Sequence, residues 1–425
     1  LGQLLSKLFE DKMKNNIDHA RKLDLENPLR DFRNKFFLPK QDLGTIYFTG
    51  HSLGPMPKLA KDYVVEELDY WAKLGLSGHY KEDRPWKNYD DNLLAPFAGL
   101  VGSLEKEVGA MNGLTVNLHL LMVSFYRPNS KKFKILIENN AFSSDQYAVD
   151  SQVRFHGFDP KEAIIELCPK EGKLTLDENY ILETIEKYKD ELALILIGNV
   201  NYLSGQAFDV KTITALANKF NIPIGFDLAH GTGNLEFDLH DDGVDFAVWC
   251  TYKYLNCGPG SLGGFYIHDK HLKNKNIPRF EGWFGNKKET RFLMNRDFEP
   301  MDSVQSWQLS NPGIFQLASM RASMEIFEQA TMPKIRKVGD QLTGYLESLL
   351  KENCPKIEVI TPSRRGSMLS LKYQGDTEGL FNYLVKKKIE VDLRRPNILR
   401  LTPAPLYNTF EEVFKVVEII SNYKS

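Results

Sequence analysis

Cysteine is scarce in this sequence: 425 residues contain four, Cys168, Cys250, Cys257 and Cys354, and no C-x-x-C pair. That usage argues against a disulfide scaffold and fits a reducing compartment. Cys250 and Cys257 have six residues between them and no accompanying histidine cluster, which favours buried structural thiols over a shared metal. An excess of one charge is also missing. The formal net charge is −2, so there is no electrostatic basis for a nucleic-acid or anionic-membrane partner. Lysine-rich pieces such as Ser130 to Lys134 and Lys386 to Lys388 read as solvated faces. No apolar run approaches the ~20 residues that span a bilayer. Leu1 to Lys14 mixes Leu with Lys, Glu and Asp at helical spacing and lacks the small-residue cleavage pattern of a secretory signal. A cytoplasmic location is therefore expected, with a trimmed leader left open because the first residue is not Met. Internal repeats and low-complexity linkers are absent.

What is present is the balance of a globular protein, 42% hydrophobic and 26% charged, in a chain too long for one ordinary core. The middle alternates short β-rich runs with amphipathic helical stretches, the signal of parallel strands joined by crossover helices. Lys134 to Glu138, Leu192 to Asn201, Ile222 to Leu228, Phe246 to Thr251 and Gly264 to His268 read as strands. Several are apolar almost throughout, as strands covered on both faces are. Asp177 to Lys189 and Asp209 to Phe220 read as helices that start on a capping Asp. Later come helices at Met320 to Ala330 and Pro333 to Glu352, strands at Met368 to Tyr373 and Ile389 to Leu393, and a closing helix at Thr409 to Asn422. The expected organisation is a large α/β domain with a mostly parallel sheet over residues 51–319 and a smaller α+β domain over 320–425. The N-terminal segment 1–50 is expected to join the smaller one.

Three features follow one another at expected strand ends or helix starts, where ligands of open α/β sheets bind. Gly113-Leu114-Thr115 opens the apolar helical run Val116 to Phe125 and offers free backbone N–H groups suited to a phosphate, though an ordinary helix cap reads the same. In FDLAHGTG, Asp227 follows an apolar strand and His230 stands three residues on. A carboxylate there suits a protonated pyridine nitrogen, while a capping Asp with a hydrogen-bonded His, or a metal pair, remain alternatives. In WCTYKYLNCGPGSLGG, Lys253 ends a hydrophobic strand and precedes a glycine-rich tail. Desolvation at such a place lowers an amine's pKa and makes it competent for Schiff-base chemistry.

Asp-x-x-His followed by Tyr-Lys-Tyr-Leu-Asn and glycines resembles class V of the fold-type I, aspartate-aminotransferase-like, pyridoxal-phosphate enzymes. Within that class the chain resembles the kynureninase family. The resemblance runs from about Tyr47 to the C-terminus and is carried by TGHSLGPMPK, GHYKEDRPW, MNGLTVNLHLL, FSSDQYAVDSQ, GFDLAHGTGN, GWFGN, LSNPG and RLTPAPLYN. It implies pyridoxal 5′-phosphate held covalently on Lys253, with Asp227 at the ring nitrogen. Leu114, Thr115, Tyr252, Trp283 and Asn311 would meet the phosphate end. Phe142 would stack on the ring, and Asp145 and His230 would support its polar edge. Arg400 would bind the substrate carboxylate, a planar fork of donors being suited to it. His79, Ser52, Ser310 and Asn311 would lie near the substrate's aromatic ring and carbonyl, and His79 with Asn311 resembles the pairing of members that favour the 3-hydroxylated substrate. No metal is implied. Two positions depart from the family pattern: His51 stands where Asn is usual, and Gly198 where a hydroxyl residue is common, so that one cofactor contact is expected either to be missing or to come from a neighbour such as Asn199 or Ser204.

The implied reaction is hydrolysis of L-kynurenine, or of 3-hydroxy-L-kynurenine, to anthranilate or 3-hydroxyanthranilate and L-alanine, in tryptophan degradation or NAD biosynthesis. The amine of Lys253 would take the Cα proton. Tyr252 would act as proton donor and acceptor or bind phosphate only. The resemblance also implies a homodimer, with Trp283 or Asn311 reaching the partner's cofactor. Rival readings are another class V activity, such as a cysteine desulfurase or an aminotransferase, and a binding protein that keeps the fold without catalysis. A desulfurase needs a mobile nucleophilic cysteine, and the Lys-Glu-Asn-Cys-Pro context of Cys354 disfavours it.

Overall fold

The computed structural model describes residues 16–274 and 276–424. The helical spacing noted over Leu1 to Lys14 lies outside the described residues.

Seven strands form the central sheet: β1 (Val108–Met111), β2 (Lys134–Glu138), β3 (Ile164–Leu167), β4 (Leu192–Gly198), β5 (Ile224–Asp227), β6 (Phe246–Trp249) and β7 (Gly263–Ile267). Their spatial order is β1-β7-β6-β5-β4-β2-β3. The five strands from β6 to β3 run parallel, while β7 is antiparallel to both β6 and β1. The chain therefore has the mixed α/β fold with a mostly parallel sheet that its sequence leads one to expect. The strands β2, β4, β5 and β6 end on the same edge, with Gly198 beside Asp227 and Asp227 beside Val248.

The helices up to the end of this sheet include α1 (Ile17–Glu26), α2 (Lys58–Leu74), α3 (Leu114–Phe125), α4 (Ser143–Phe155), α5 (Glu178–Tyr188) and α6 (Val210–Lys219), of which α3 packs on β6 and β7. The expected caps are in place: Asp177 accepts from Asn179 N at 3.0 Å and Asp209 from Thr212 N at 3.1 Å. Each satisfies an N–H that the first helical turn leaves without a partner. Strands β4 and β6 bury nearly every side chain, which is why they are apolar without alternation. Trp249 is fully buried, and Gly264 on β7 makes room for it, since a Cβ there would overlap the indole.

Beyond the sheet come α7 (Ile314–Ala330) and α8 (Met332–Asn353), then an antiparallel sheet of β8 (Ile357–Val359), β9 (Leu369–Tyr373), β10 (Asp392–Arg394) and β11 (Ile398–Leu401) in the order β8-β9-β11-β10. α9 (Thr377–Lys386) and α10 (Phe410–Ser421) complete this part. On α8 the buried residues Ile335, Val338, Leu342, Leu346 and Leu349 recur at helical spacing, and the helix packs against α10, which also receives α1. The single strand expected at Ile389 to Leu393 is divided. Ile389–Glu390 pairs in parallel with Ile46–Tyr47, and Asp392–Arg394 turns into the second sheet as β10. Two different partners pull the two halves apart at the buried Val391.

Candidate active site

A cavity of about 320 Å³ opens at the carboxyl edge of the central sheet. Its lining includes Leu114, Thr115, Phe142, Asp145, Asp227, His230, Tyr252 and Lys253, eight of the residues expected at a site. Each reaches it for a local reason. Asp227 is the last residue of β5, where its carboxylate accepts from Ala229 N at 2.7 Å. Lys253 lies in the turn after β6, and its Nζ stands 3.1 Å from His230 Nε2 and 5.8 Å from the centre of the Phe142 ring. Leu114 and Thr115 form the first turn of α3, whose cap Gly113 has no side chain to satisfy their N–H groups. Asp145 is buried in the first turn of α4.

Electrostatics divide the cavity into two ends. At one, Asp227, Asp145 and Glu138 bring three carboxyl groups together. Burial, followed by the adjacent charge of Asp227, holds the Asp145 carboxyl well above the usual carboxylate range. Burial likewise pushes Glu138 up to about 7, against hydrogen bonds from Asn201 Nδ2 and Gly198 N, each at 3.1 Å. At the other end the N-terminus of α3 faces the space, and Ser261 and Tyr252 also line the cavity. Burial raises the Tyr252 pKa, so the phenol stays protonated and can donate. His230 is buried; desolvation and then the Lys253 charge lower its pKa well below that of free histidine. Its Nδ1 has no partner among the described residues.

These features fit pyridoxal phosphate. The carboxylate end suits a protonated ring nitrogen, the α3 N-terminus suits a phosphate, and a lysine amine near an aromatic ring lines the same cavity. The unpaired His230 Nδ1 is a polar atom still lacking a ligand.

The comparisons agree with the geometry. A family model described as the kynureninase C-terminal domain matches residues 335–420. A kynureninase of Myxococcus xanthus is 50% identical and aligns over 98% of each chain. The chain belongs to the kynureninase family. The human kynureninase is 43% identical, with 95% of this chain and 92% of that one covered. Among solved structures, a C-DES mutant with glycine covalently linked to the PLP cofactor superposes with a TM-score of 0.77 at 14% identity, over 92% of this chain and 99% of that one. The cysteine desulfurase of Thermococcus onnurineus gives 0.73 at 16%, over 92% and 96%. At such identities the likeness shows the fold, which is that of fold-type I enzymes.

Six other residues that the family resemblance singled out do not line the cavity of their own chain. Arg400 is buried on β11, where Nη1 donates to the Tyr202 carbonyl at 2.6 Å and Nη2 to Asp392. The Tyr202 side chain does line the cavity, so Arg400 sits one residue behind the wall. Ser52 donates to the same Asp392 carboxylate at 3.3 Å. Trp283 is 42% exposed and donates Nε1 to the Arg291 carbonyl at 3.1 Å. His79 lies edge-on to Trp86, and Ser310 and Asn311 are exposed.

Of the residues around Gly198, Glu138 lines the cavity while Asn199 and Ser204 do not, and a Cβ on Gly198 would lie 2.9 Å from the Glu138 Oε2. Glu138 escaped the sequence reading although it ends an expected strand next but one to Asp227 in the sheet, and its place at a strand's carboxyl end was the available signal. Asp392 had none, because two of its partners, His51 and Ser52, come from a distant part of the chain.

Proposed function

We infer that the chain catalyses hydrolysis of L-kynurenine, or of its 3-hydroxy form, to anthranilate or 3-hydroxyanthranilate and L-alanine with pyridoxal phosphate as cofactor. The observation that carries this reading is the meeting of Lys253 and Asp227 at one cavity, with Arg400 buried directly behind its wall. When bound, the cofactor supplies an electron sink for negative charge at the substrate's Cα.

Lys253 would hold the cofactor, and its Nζ is placed to take a proton from the substrate's Cα. Neutral His230, 3.1 Å from that nitrogen, accepts a hydrogen bond from it and holds it in place. Asp227 would face the ring nitrogen, beside Asp145 and Glu138, whose neutral forms burial favours. Phe142 covers the ring face. Tyr252, protonated, donates at the phosphate or to the departing carbon. Arg400 binds the α-carboxylate; Ser52, His79, Ser310 and Asn311 surround the substrate's ring and carbonyl.

The assembly in this reading is a homodimer. His79, Trp283, Ser310 and Asn311 stand outside their own cavity and complete that of the partner subunit. The division into a large cofactor domain at 51–319 and a smaller domain at 320–425 joined by 1–50 belongs to the same reading, as does a cytoplasmic location. Among the described residues no helix is long and apolar enough to cross a membrane. The desulfurase alternative is not supported: Cys354 is buried, and burial pushes its thiol up to about 11.

The test is anthranilate fluorescence after addition of kynurenine, together with borohydride trapping and peptide mapping. Product formation with the adduct on Lys253 is expected; an adduct elsewhere, or none, overturns the assignment.

A further inference from the structure

Asp392 is the centre of a network that joins the cavity's rear wall to the loop after Thr49. Its Oδ2 receives Arg400 Nη2, Arg394 Nη2 at 3.1 Å, Ser52 Oγ at 3.3 Å and His51 Nε2 at 3.4 Å. His51 is fully buried, with Nδ1 2.8 Å from Thr402 Oγ1. Burial pushes its pKa down to about 4, against the hydrogen bond to Asp392, so the ring is neutral near pH 7. A neutral imidazole beside a carboxylate carries its proton on the nitrogen that faces it. The tautomer is thereby assigned: Nε2–H donates to Asp392 and Nδ1 accepts from the Thr402 hydroxyl. Burial alone would raise the Asp392 pKa, but the His51 hydrogen bond and the Arg400 charge outweigh it and hold the group well below the usual carboxylate range. Asp392 is an anion.

The charges do not cancel. Two guanidinium groups and one carboxylate leave one positive unit, the complement of a single further carboxylate. The donors are also divided. On Arg400, Nη1 is held by Tyr202 and Nη2 by Asp392, while Nε is buried without a partner among the described residues. A guanidinium fixed at two corners has one orientation, and the N–H of its third nitrogen, Nε, is a buried donor that costs about 1–3 kcal/mol until a ligand takes it.

We propose that Asp392, itself held by His51, is a positioning residue that fixes the Arg400 guanidinium so that its free donor meets the α-carboxylate of the substrate. The proposal rests on reading Arg400 as the carboxylate-binding group. His51 works here as an oriented donor and acceptor, with no change of protonation. An asparagine at the same place offers an amide N–H and a carbonyl in the same order, and would serve Asp392 and Thr402 alike.

The experiment compares holoenzyme variants Arg400→Ala, Asp392→Asn, His51→Ala and His51→Asn by titrating the visible cofactor band with two ligands that differ only in a carboxylate, L-alanine and ethylamine. Asp392→Asn and His51→Ala should weaken L-alanine by about tenfold or more and leave ethylamine within about twofold, the loss expected for a misaimed charged hydrogen bond. His51→Asn should bind L-alanine within about threefold of the wild type. KM for kynurenine should rise in step with the L-alanine dissociation constant, with kcat changed less. If Asp392→Asn leaves L-alanine affinity intact while Arg400→Ala lowers it, the positioning role is wrong and the Arg400 reading stands. If Arg400→Ala also leaves it intact, the Arg400 reading itself falls. Equal weakening of both ligands by Asp392→Asn would mark a general structural role and overturn the proposal. Should that variant not fold, the contrast between His51→Ala and His51→Asn decides, and equal behaviour of those two rejects it.

Discussion

Lys253 Nζ stands 3.1 Å from His230 Nε2, and the histidine it faces is buried and neutral. A neutral imidazole accepts from the lysine without adding charge to a site lined by several acids. Burial, the largest cause, lowers the His230 pKa whether or not Lys253 carries the cofactor, so its protonated form is absent at and above the free-histidine value of about 6.5. The kcat/KM profile of the wild type should therefore show no acid limb from a histidine near that pH, and His230→Gln should leave the profile's shape unchanged while lowering kcat. An acid limb near 6.5 that vanishes in His230→Gln would show the histidine to be a titrating catalyst. Lys253→Ala should remove turnover altogether, together with the visible absorbance of the bound cofactor.

Glu138 makes a prediction about stability. Its carboxyl is fully buried at the cavity floor, and burial raises its pKa from 4.5 to about 7. Between those two values the native state keeps the proton that the unfolded chain has lost. The unfolded state binds fewer protons, so stability falls as pH rises through this window, by about 3 kcal/mol in all from this one group. Denaturant unfolding of the apoenzyme at about pH 5 and pH 7 measures it. The difference between wild type and Glu138→Gln should shrink or reverse toward pH 7 in favour of the variant. A pH-independent difference would refute the raised pKa.

Which features could be read from the sequence depended on how local their causes were. The capped helices α5 and α6 were legible because Asp177 and Asp209 act within one turn. The strands β2, β4, β5 and β6 were legible because burial on both faces leaves an apolar run. β11 was not, although all four of its residues are buried, because Arg400 interrupts the run. β1 and β3 are short strands at the two ends of the sheet, and only a partner elsewhere in the chain makes them strands. At the site the same division holds. Asp227 and Lys253 lie at strand ends and announce themselves by residue type. Asp392 does not, because the histidine that holds it lies 341 residues earlier.

Gly54 offers a packing test of the lysine turn. Its N–H donates to the Tyr252 carbonyl at 2.8 Å, and a Cβ there would overlap the Lys253 carbonyl oxygen and the Asn256 side chain. Most of that obstruction is backbone, which cannot swing aside as a flexible side chain can. Gly54→Ala should therefore displace the turn that carries Lys253, lowering stability by about 1–3 kcal/mol and speeding loss of cofactor on dialysis. Thermal unfolding and the residual visible absorbance after dialysis are the measurements. Unchanged values in both would mean that the two loops can separate without moving the lysine.

Trp283 decides whether the site is shared between subunits. In its own chain the indole N–H is committed to the Arg291 carbonyl, and the ring is 42% exposed beside the exposed Phe292, 5.4 Å away. If the ring completes the partner's cavity, Lys253→Ala and Trp283→Ala remove two different parts of two different sites. A hybrid dimer of the two variants then has one site with neither defect: the Trp283→Ala subunit supplies its own Lys253 and receives the intact tryptophan of the other. Random reassortment of equal amounts makes about half the dimers hybrid, each with one of two sites whole, so activity should recover to about a quarter of the wild-type value. If instead Trp283 serves its own chain, every site in the mixture carries a defect, and activity stays at the average of the two parents. Subunit exchange under mild denaturant, followed by the anthranilate assay, distinguishes the two arrangements without any structural measurement.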